Sequence, residues 1–199
     1  MASPQTIQPA TADTYLWSSN ADTNLSTGAG LGVCPFSASE RRAIITFDFS
    51  ANVPAGATIT LATLSLYATG GVTGRTISCY RLLRTDWVAT EATWNHYKGT
   101  TDWGTAGAKN TTTDISTTDV AAAASVASTN WLELTVTAQT QTARDSISGI
   151  AHFCVADAGE SVTTAQSYCS SEGTTESQRP KLYIEYTVPS TFIPKCVFF

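Results

Sequence analysis

Residues 42–67 read R-A-I-I-T-F-D-F-S-A-N-V-P-A-G-A-T-I-T-L-A-T-L-S-L-Y, two alternating runs joined by a polar turn. In the first run Ala43, Ile45, Phe47 and Phe49 share one face, and Thr46 and Asp48 share the other. In the second, Ala62, Leu64 and Leu66 fall on one side, with Thr63, Ser65 and Tyr67 opposite. A period of two marks half-buried β-strands, and Pro54 and Gly56 supply the turn between them. The segment predicts two strands joined by a turn.

Further strands are expected at 76–84, 131–137, 150–156 and 181–187, with an edge strand near 14–17. Each is short and bounded by Gly, Thr, Ser or Asp clusters. Seven or more short strands without intervening amphipathic helices point to an all-β sandwich or barrel with little helix. The Ala-rich stretch 120–128 lacks an amphipathic stripe, and 138–145 suits a turn or two of helix.

Composition agrees. Charged residues are 14% of the 199, against ~25% in an average soluble protein. The chain instead carries 34 Thr and 20 Ser, and β-branched Thr sits readily on either face of a sheet. A net charge of −5 with eleven Lys and Arg argues against nucleic acid as a partner. No apolar run is long enough for a membrane-spanning helix, so membrane insertion is not expected. Five scattered cysteines, Cys34, Cys79, Cys154, Cys169 and Cys196, are never spaced C-x-x-C and are expected to be free thiols. The first residues show neither a basic nor an apolar leader region. That suggests either a leader already removed or a route such as assembly on a virus particle.

An ordered series of motifs runs along the chain: A-D-T-Y-L at 12–16, S-N-A-D-T-N at 19–24, then the opening pair. Y-R-L-L-R-T-D-W at 80–87, E-A-T-W-N at 91–95 and W-G-T-A-G at 103–107 follow, and S-S-E-G-T-T-E-S-Q-R-P-K-L-Y-I-E-Y at 170–186 closes it. This order resembles the DNRLRE domain family, whose members include non-catalytic carbohydrate-binding modules. The resemblance covers 12–187 and implies an antiparallel β-sandwich of jelly-roll type without catalytic machinery. It divides the chain into an N-terminal arm (1–11), the sandwich (12–187) and an apolar C-terminal tail (188–199).

Two functions fit such a domain. The first is a structural or adhesion module on the surface of a phage virion, joined to other virion proteins or to copies of itself and touching glycans. The alternative is a secreted or cell-surface carbohydrate-binding module for an acidic polysaccharide. An enzyme is not expected, because no H-E-x-x-H, G-x-S-x-G or phosphate loop is present. His152 alternates with Ile150 and Cys154 in a strand and reads as a satisfied core or edge histidine.

Candidate contacts follow from chemistry. A sugar ring stacks its C–H face on an aromatic plane, while its hydroxyls and carboxylates need polar or basic neighbours. Trp17, His96, Tyr97 and Trp103 lie on expected loops or edges, with Arg75, Lys98 and Arg84 as cations. The long segment 95–118, rich in Gly and Thr, is expected to be functional or mobile. Trp87, Trp94 and Trp131 are assigned to core packing. Arg41 and Arg42 offer either a grip for an acidic sugar or a structural ion pair with Glu40 or Asp48, the latter favoured. Asp13, Asp22 and Asn24 form an oxygen-rich set that would suit a structural calcium ion. The tail residues Phe192, Ile193, Val197, Phe198 and Phe199 are expected to make an assembly contact. Glu172 and Arg179 are expected to pair.

Overall fold

The structure, a computed structural model, describes residues 3–158 and 164–189. Its strands are β1 (Gln5–Ile7), β2 (Ala12–Trp17), β3 (Gly30–Val33), β4 (Arg41–Asp48), β5 (Thr58–Gly70), β6 (Thr76–Arg81), β7 (His96–Lys98), β8 (Thr101–Asp102), β9 (Ala121–Ala124), β10 (Trp131–Thr135), β11 (Ile150–Asp157), β12 (Gln166–Cys169) and β13 (Lys181–Thr187). One α-helix, α1, spans Thr137–Ser146. The opening motif forms β4 and β5 as expected, with the Ala57 N–H donating to the Pro54 carbonyl in the turn between them.

The two halves of that motif enter different sheets. β5 lies in a six-stranded antiparallel sheet ordered β1-β13-β5-β12-β3, with β10 also paired to β5; β4 lies in a five-stranded sheet ordered β2-β4-β11-β6-β9. The sheets stack through the faces their alternation makes apolar. Ala62, Leu64 and Leu66 of β5, Leu132 and Leu134 of β10, and Leu182 and Ile184 of β13 meet Ala43, Ile45 and Phe47 of β4 and Phe153 and Val155 of β11. Phe47 and Phe153 pack edge to face at 6.4 Å. The all-β sandwich expected from the sequence is the fold observed. The expected arm is part of it, because Gln5, Thr6 and Ile7 pair with Ile184, Tyr183 and Leu182.

β4 departs from the half-buried reading. Residues 42–47 are all buried, on both faces of the strand. The reason is a third layer. Between β6 and β9 the chain leaves the sheet after Leu82 and returns at Ile115, which bridges back to Leu82. The intervening segment, including the β7–β8 hairpin, folds over the outer face of the five-stranded sheet. Leu16, Ile44, Leu82 and Cys154 on the sheet are covered by Trp87, Ala92, Trp94, Tyr97, Trp103, Ala108 and Ile115. The expected functional or mobile loop is thus a packed cap with its own apolar core.

Polar contacts fix the cap. The Asp114 carboxylate, fully buried, accepts from the backbone N–H groups of Gly104 (2.8 Å), Thr105 (3.0 Å) and Asn110 (3.1 Å). Arg84 Nε lies 3.5 Å from it. Arg42 reaches through to donate to the Ala108 carbonyl at 2.8 Å. Gly107 adopts φ 82°, and a Cβ there would lie 2.5 Å from the Trp94 ring. Gly107→Ala is therefore expected to cost about 1–3 kcal/mol, through left-handed backbone strain and displacement of the indole. Chemical denaturation checks this; an unchanged midpoint would remove Gly107 from the cap's packing.

The four described cysteines, Cys34, Cys79, Cys154 and Cys169, are free and buried. Burial raises the thiol pKa values of Cys79, Cys154 and Cys169, which makes them unreactive packing groups. Cys196 lies outside the described residues.

Candidate functional site

The cap corrects the placement of two candidate aromatics. Tyr97 and Trp103 are buried, stacked on each other at 5.6 Å, and Trp103 Nε1 donates to the Thr93 carbonyl at 2.9 Å. Arg84 covers the Tyr97 ring at 4.8 Å. Neither ring offers a face to a sugar, because each is used to hold the cap on the sheet. Arg75 is likewise committed: it forms an ion pair with Asp157 at 2.5 Å and donates to the Thr164 carbonyl.

His96 is half-buried beside a cleft of about 370 Å³ lined by Asn95, His96, Asp102 and residues 103–106. Its Nδ1 lies 2.7 Å from Asp102 and its Nε2 3.8 Å from Asp22. Two exposed carboxylates make this cleft a poor seat for an acidic sugar. Lys98 is exposed on β7.

Asp13, Asp22 and Asn24 are each given a different task. Asp13 points into the sandwich and accepts from the Ser171 N–H at 2.7 Å. Asp22 accepts from the Asn95 side chain at 2.7 Å. Asn24 donates to the carbonyls of Ala89 and Ala92, tying the 20s loop to the cap. Among the described residues no group of three or more His, Cys, Asp or Glu is arranged to hold a metal ion. The expected Glu172–Arg179 pair is not formed; Arg179 Nε donates to the Gly173 carbonyl instead. Phe192, Ile193, Val197, Phe198 and Phe199 lie outside the described residues. His152 is buried, as expected, with Nδ1 at 2.8 Å from Thr46 Oγ1 and 3.2 Å from Trp87 Nε1.

The most complete site lies where β2 and β4 approach β3. A cleft of about 320 Å³ is lined by Tyr15, Asn24, Thr27, Gly32, Arg41 and Ser167, among others. Gly32 makes the floor possible: a Cβ there would sit 3.0 Å from Arg41 Cδ and 3.3 Å from the Tyr15 ring. The Arg41 guanidinium lies 4.2 Å from the Trp17 ring centroid, and Trp17 is itself fixed by its Nε1 donating to Ser39 Oγ at 2.8 Å.

The two adjacent arginines take opposite roles. Glu40 is engaged by Arg42 at 3.7 Å and by Lys109 at 2.8 Å. That leaves Arg41 without an ion pair among the described residues, and its buried Nε has no hydrogen-bond partner among them. The favoured structural pair is thus real for Arg42, and Arg41 is the open cation. Strand alternation places the two on opposite faces, and the tertiary structure shows that the face of Arg42 and Ile44 is the capped one.

A second aromatic surface was missed. Trp131 is half-exposed, not in the core: it lies on the outward face of the six-stranded sheet, edge to face with Tyr67 at 5.3 Å. Alternation in W-L-E-L-T already carried the signal, since Leu132 and Leu134 take the core face.

No curated protein matches the chain. The model of carbohydrate-binding module family 96 matches residues 4–186, which upholds the carbohydrate-binding part of the motif resemblance without the DNRLRE name or a phage origin, and the chain belongs to that family.

Proposed function

We propose that the chain is a non-catalytic module that binds an acidic polysaccharide, with the Tyr15–Arg41 cleft as the seat of an acidic sugar residue. The observation that carries this is Arg41, a guanidinium laid on Trp17 and left without a carboxylate partner among the described residues. A planar, weakly hydrated guanidinium matches a carboxylate with two parallel hydrogen bonds. Held in place beforehand by the indole, it loses little freedom on binding. Tyr15 supplies an aromatic wall, and Asn24, Thr27 and Ser167 supply polar edges. The overall charge of −5 opposes a polyanion at long range, so binding depends on this local cation.

The family supports the secreted or cell-surface reading over the virion one, which gains no further support from fold or comparison. Affinity electrophoresis in gels containing alginate or pectin tests the proposal. The native chain is expected to be retarded, more weakly as salt is raised. Arg41→Ala is expected to lose at least tenfold in affinity, in line with ~1.5–3 kcal/mol for a hydrogen bond to a charged group. Arg41→Lys should recover only part. A native chain that passes unretarded through both gels overturns the proposal.

A further inference from the structure

A carbohydrate-binding reading needs one seat, but the outward face of the six-stranded sheet presents two surfaces. On β5, Leu64, Leu66 and Ala68 face the core, so Ser65 and Tyr67 face out. On β3, Leu31 and Val33 face the core, so Gly30 and Gly32, which line the Arg41 cleft, face out as well. Tyr67 is directly opposite Trp131 on β10, and Ser65 is opposite both Glu133 on β10 and Lys181 on β13. The Lys181 amine sits 4.0 Å from the Trp131 ring centroid. Ser65 Oγ donates to Glu133 at 3.0 Å.

We infer that Trp131, Tyr67 and Lys181 form a second contact for the same acidic polysaccharide chain that the Arg41 cleft holds, an inference that rests on the function proposed above. Three observations converge on it. A tryptophan at an outward strand position keeps apolar area in water, where neighbouring outward positions carry Ser65, Thr63 and Thr135. The cation already over its ring shows that the indole face is accessible to a polar group. Lysine's flexible stem lets the amine swing aside to a sugar carboxylate while a pyranose C–H face takes its place on the ring. The groups around it, Lys181 for a carboxylate and Glu133 for hydroxyl donors, match an acidic sugar and not an apolar peptide.

The spacing suits one chain. A single strand, β12, separates β5 from β3, so Tyr67 lies two strand spacings, ~10 Å, across the sheet from the cleft and about as far again along β5 from the Gly70 pairing, with Trp131 one strand beyond. Between them, Gly70 faces Ser167, which in turn faces Gly32. These small residues keep the intervening surface low. A polymer that touches both contacts gains from the second as an intramolecular event, at the high effective concentration of a tethered ligand. A short oligomer in the cleft gains nothing.

Isothermal titration with oligouronates of increasing length, from disaccharide to octasaccharide, separates these cases. The native chain is expected to bind the octasaccharide at least tenfold more tightly than the disaccharide, at one ligand per chain. Trp131→Ala should bring the octasaccharide down to the disaccharide's affinity and leave the disaccharide unchanged. Lys181→Ala, which removes only a surface amine, should lower octasaccharide binding several-fold, and thermal unfolding of both variants verifies that they are folded. If both folded variants keep native affinity for the octasaccharide while Arg41→Ala loses it, the second contact is overturned and the cleft stands. If the native chain binds neither length, the acidic-polysaccharide reading itself falls.

Discussion

Asp114→Ala is expected to lower stability by about 3–5 kcal/mol, the range for breaking a buried charge pair. In a chain of this size that is a fall of about 10 °C in the thermal midpoint. The size follows from what one carboxylate satisfies. Three backbone N–H groups of the cap, from Gly104, Thr105 and Asn110, converge on it, and Arg84 closes the set. Alanine leaves three donors unpaired in a water-poor site and strands the guanidinium over Tyr97. Asp114→Asn should cost less, because a side-chain carbonyl still accepts from part of the set. The cap buries Trp87, Trp94 and Trp103, so tryptophan emission should shift to the red along with the midpoint. An unchanged midpoint and unchanged emission in Asp114→Ala would show that the cap is held by its apolar contacts alone.

This result bears on function through Asn24. Its side chain joins the 20s loop to the cap at the carbonyls of Ala89 and Ala92, and the same loop lines the Arg41 cleft. The cap thereby buttresses the cleft proposed to seat the sugar, and it is itself a packed layer where its length and composition suggested an open loop. A loop that is long, rich in Gly and Thr and dotted with aromatics reads as a binding loop because its burial is set by residues far away. Nothing local tells Trp103 that the Thr93 carbonyl and the Tyr97 ring will enclose it.

One local sign of the cap did exist. In R-A-I-I-T-F, Ile44 breaks the alternation by placing a large aliphatic group on the face shared with Thr46. A strand with one wetted face has no use for that residue; a strand covered on both sides does. The strand alternation itself was legible throughout, because burial on one face imposes it. It gave β4, β5, β10, β11 and β13 and the inter-sheet core. The short strands β1, β3, β9 and β12 were not legible, since Gln-Thr-Ile, Gly-Leu-Gly-Val and four alanines carry no pattern of their own. They are strands because a neighbour pairs with them. Trp131 departs from the core placement expected of a large aromatic because its strand period points it outward, opposite Leu132 and Leu134. At the proposed cleft, Trp17 is legible as an edge aromatic and carries the Arg41 guanidinium on its ring, whereas the difference between Arg41 and Arg42 depends on the cap and on Glu40, which only the tertiary structure brings together.

Between pH 6.5 and 4 the folding stability of the native chain is expected to be nearly level, because two buried groups titrate there with opposite slopes. Burial lowers His152 from its ordinary value of 6.5 to about 4. Its Nδ1 faces the Trp87 N–H, so the ring is held neutral with its proton on Nε2. As pH falls through this window the unfolded chain takes up a proton that the folded chain refuses, and stability drops by about 3 kcal/mol. Asp13 does the reverse. Burial, opposed by the Ser171 hydrogen bonds and reinforced by Glu172, pushes its carboxyl from 3.8 up to about 6. Its Oδ1 has no hydrogen-bond partner among the described residues. As pH falls from about 6 to 4 the folded chain takes up the proton first, and stability rises by about 3 kcal/mol. Each substitution should unmask the other group. Asp13→Asn should stabilise the chain by about 1–3 kcal/mol at pH 8, where a buried, half-satisfied charge is removed. It should then lose stability steadily on acidification from pH 6.5 to 4. His152→Gln should gain stability over the same interval. Urea unfolding at a series of pH values reads both slopes directly. Parallel profiles for the native chain and the two variants would mean that neither group is as deeply desolvated as its place in the sandwich requires.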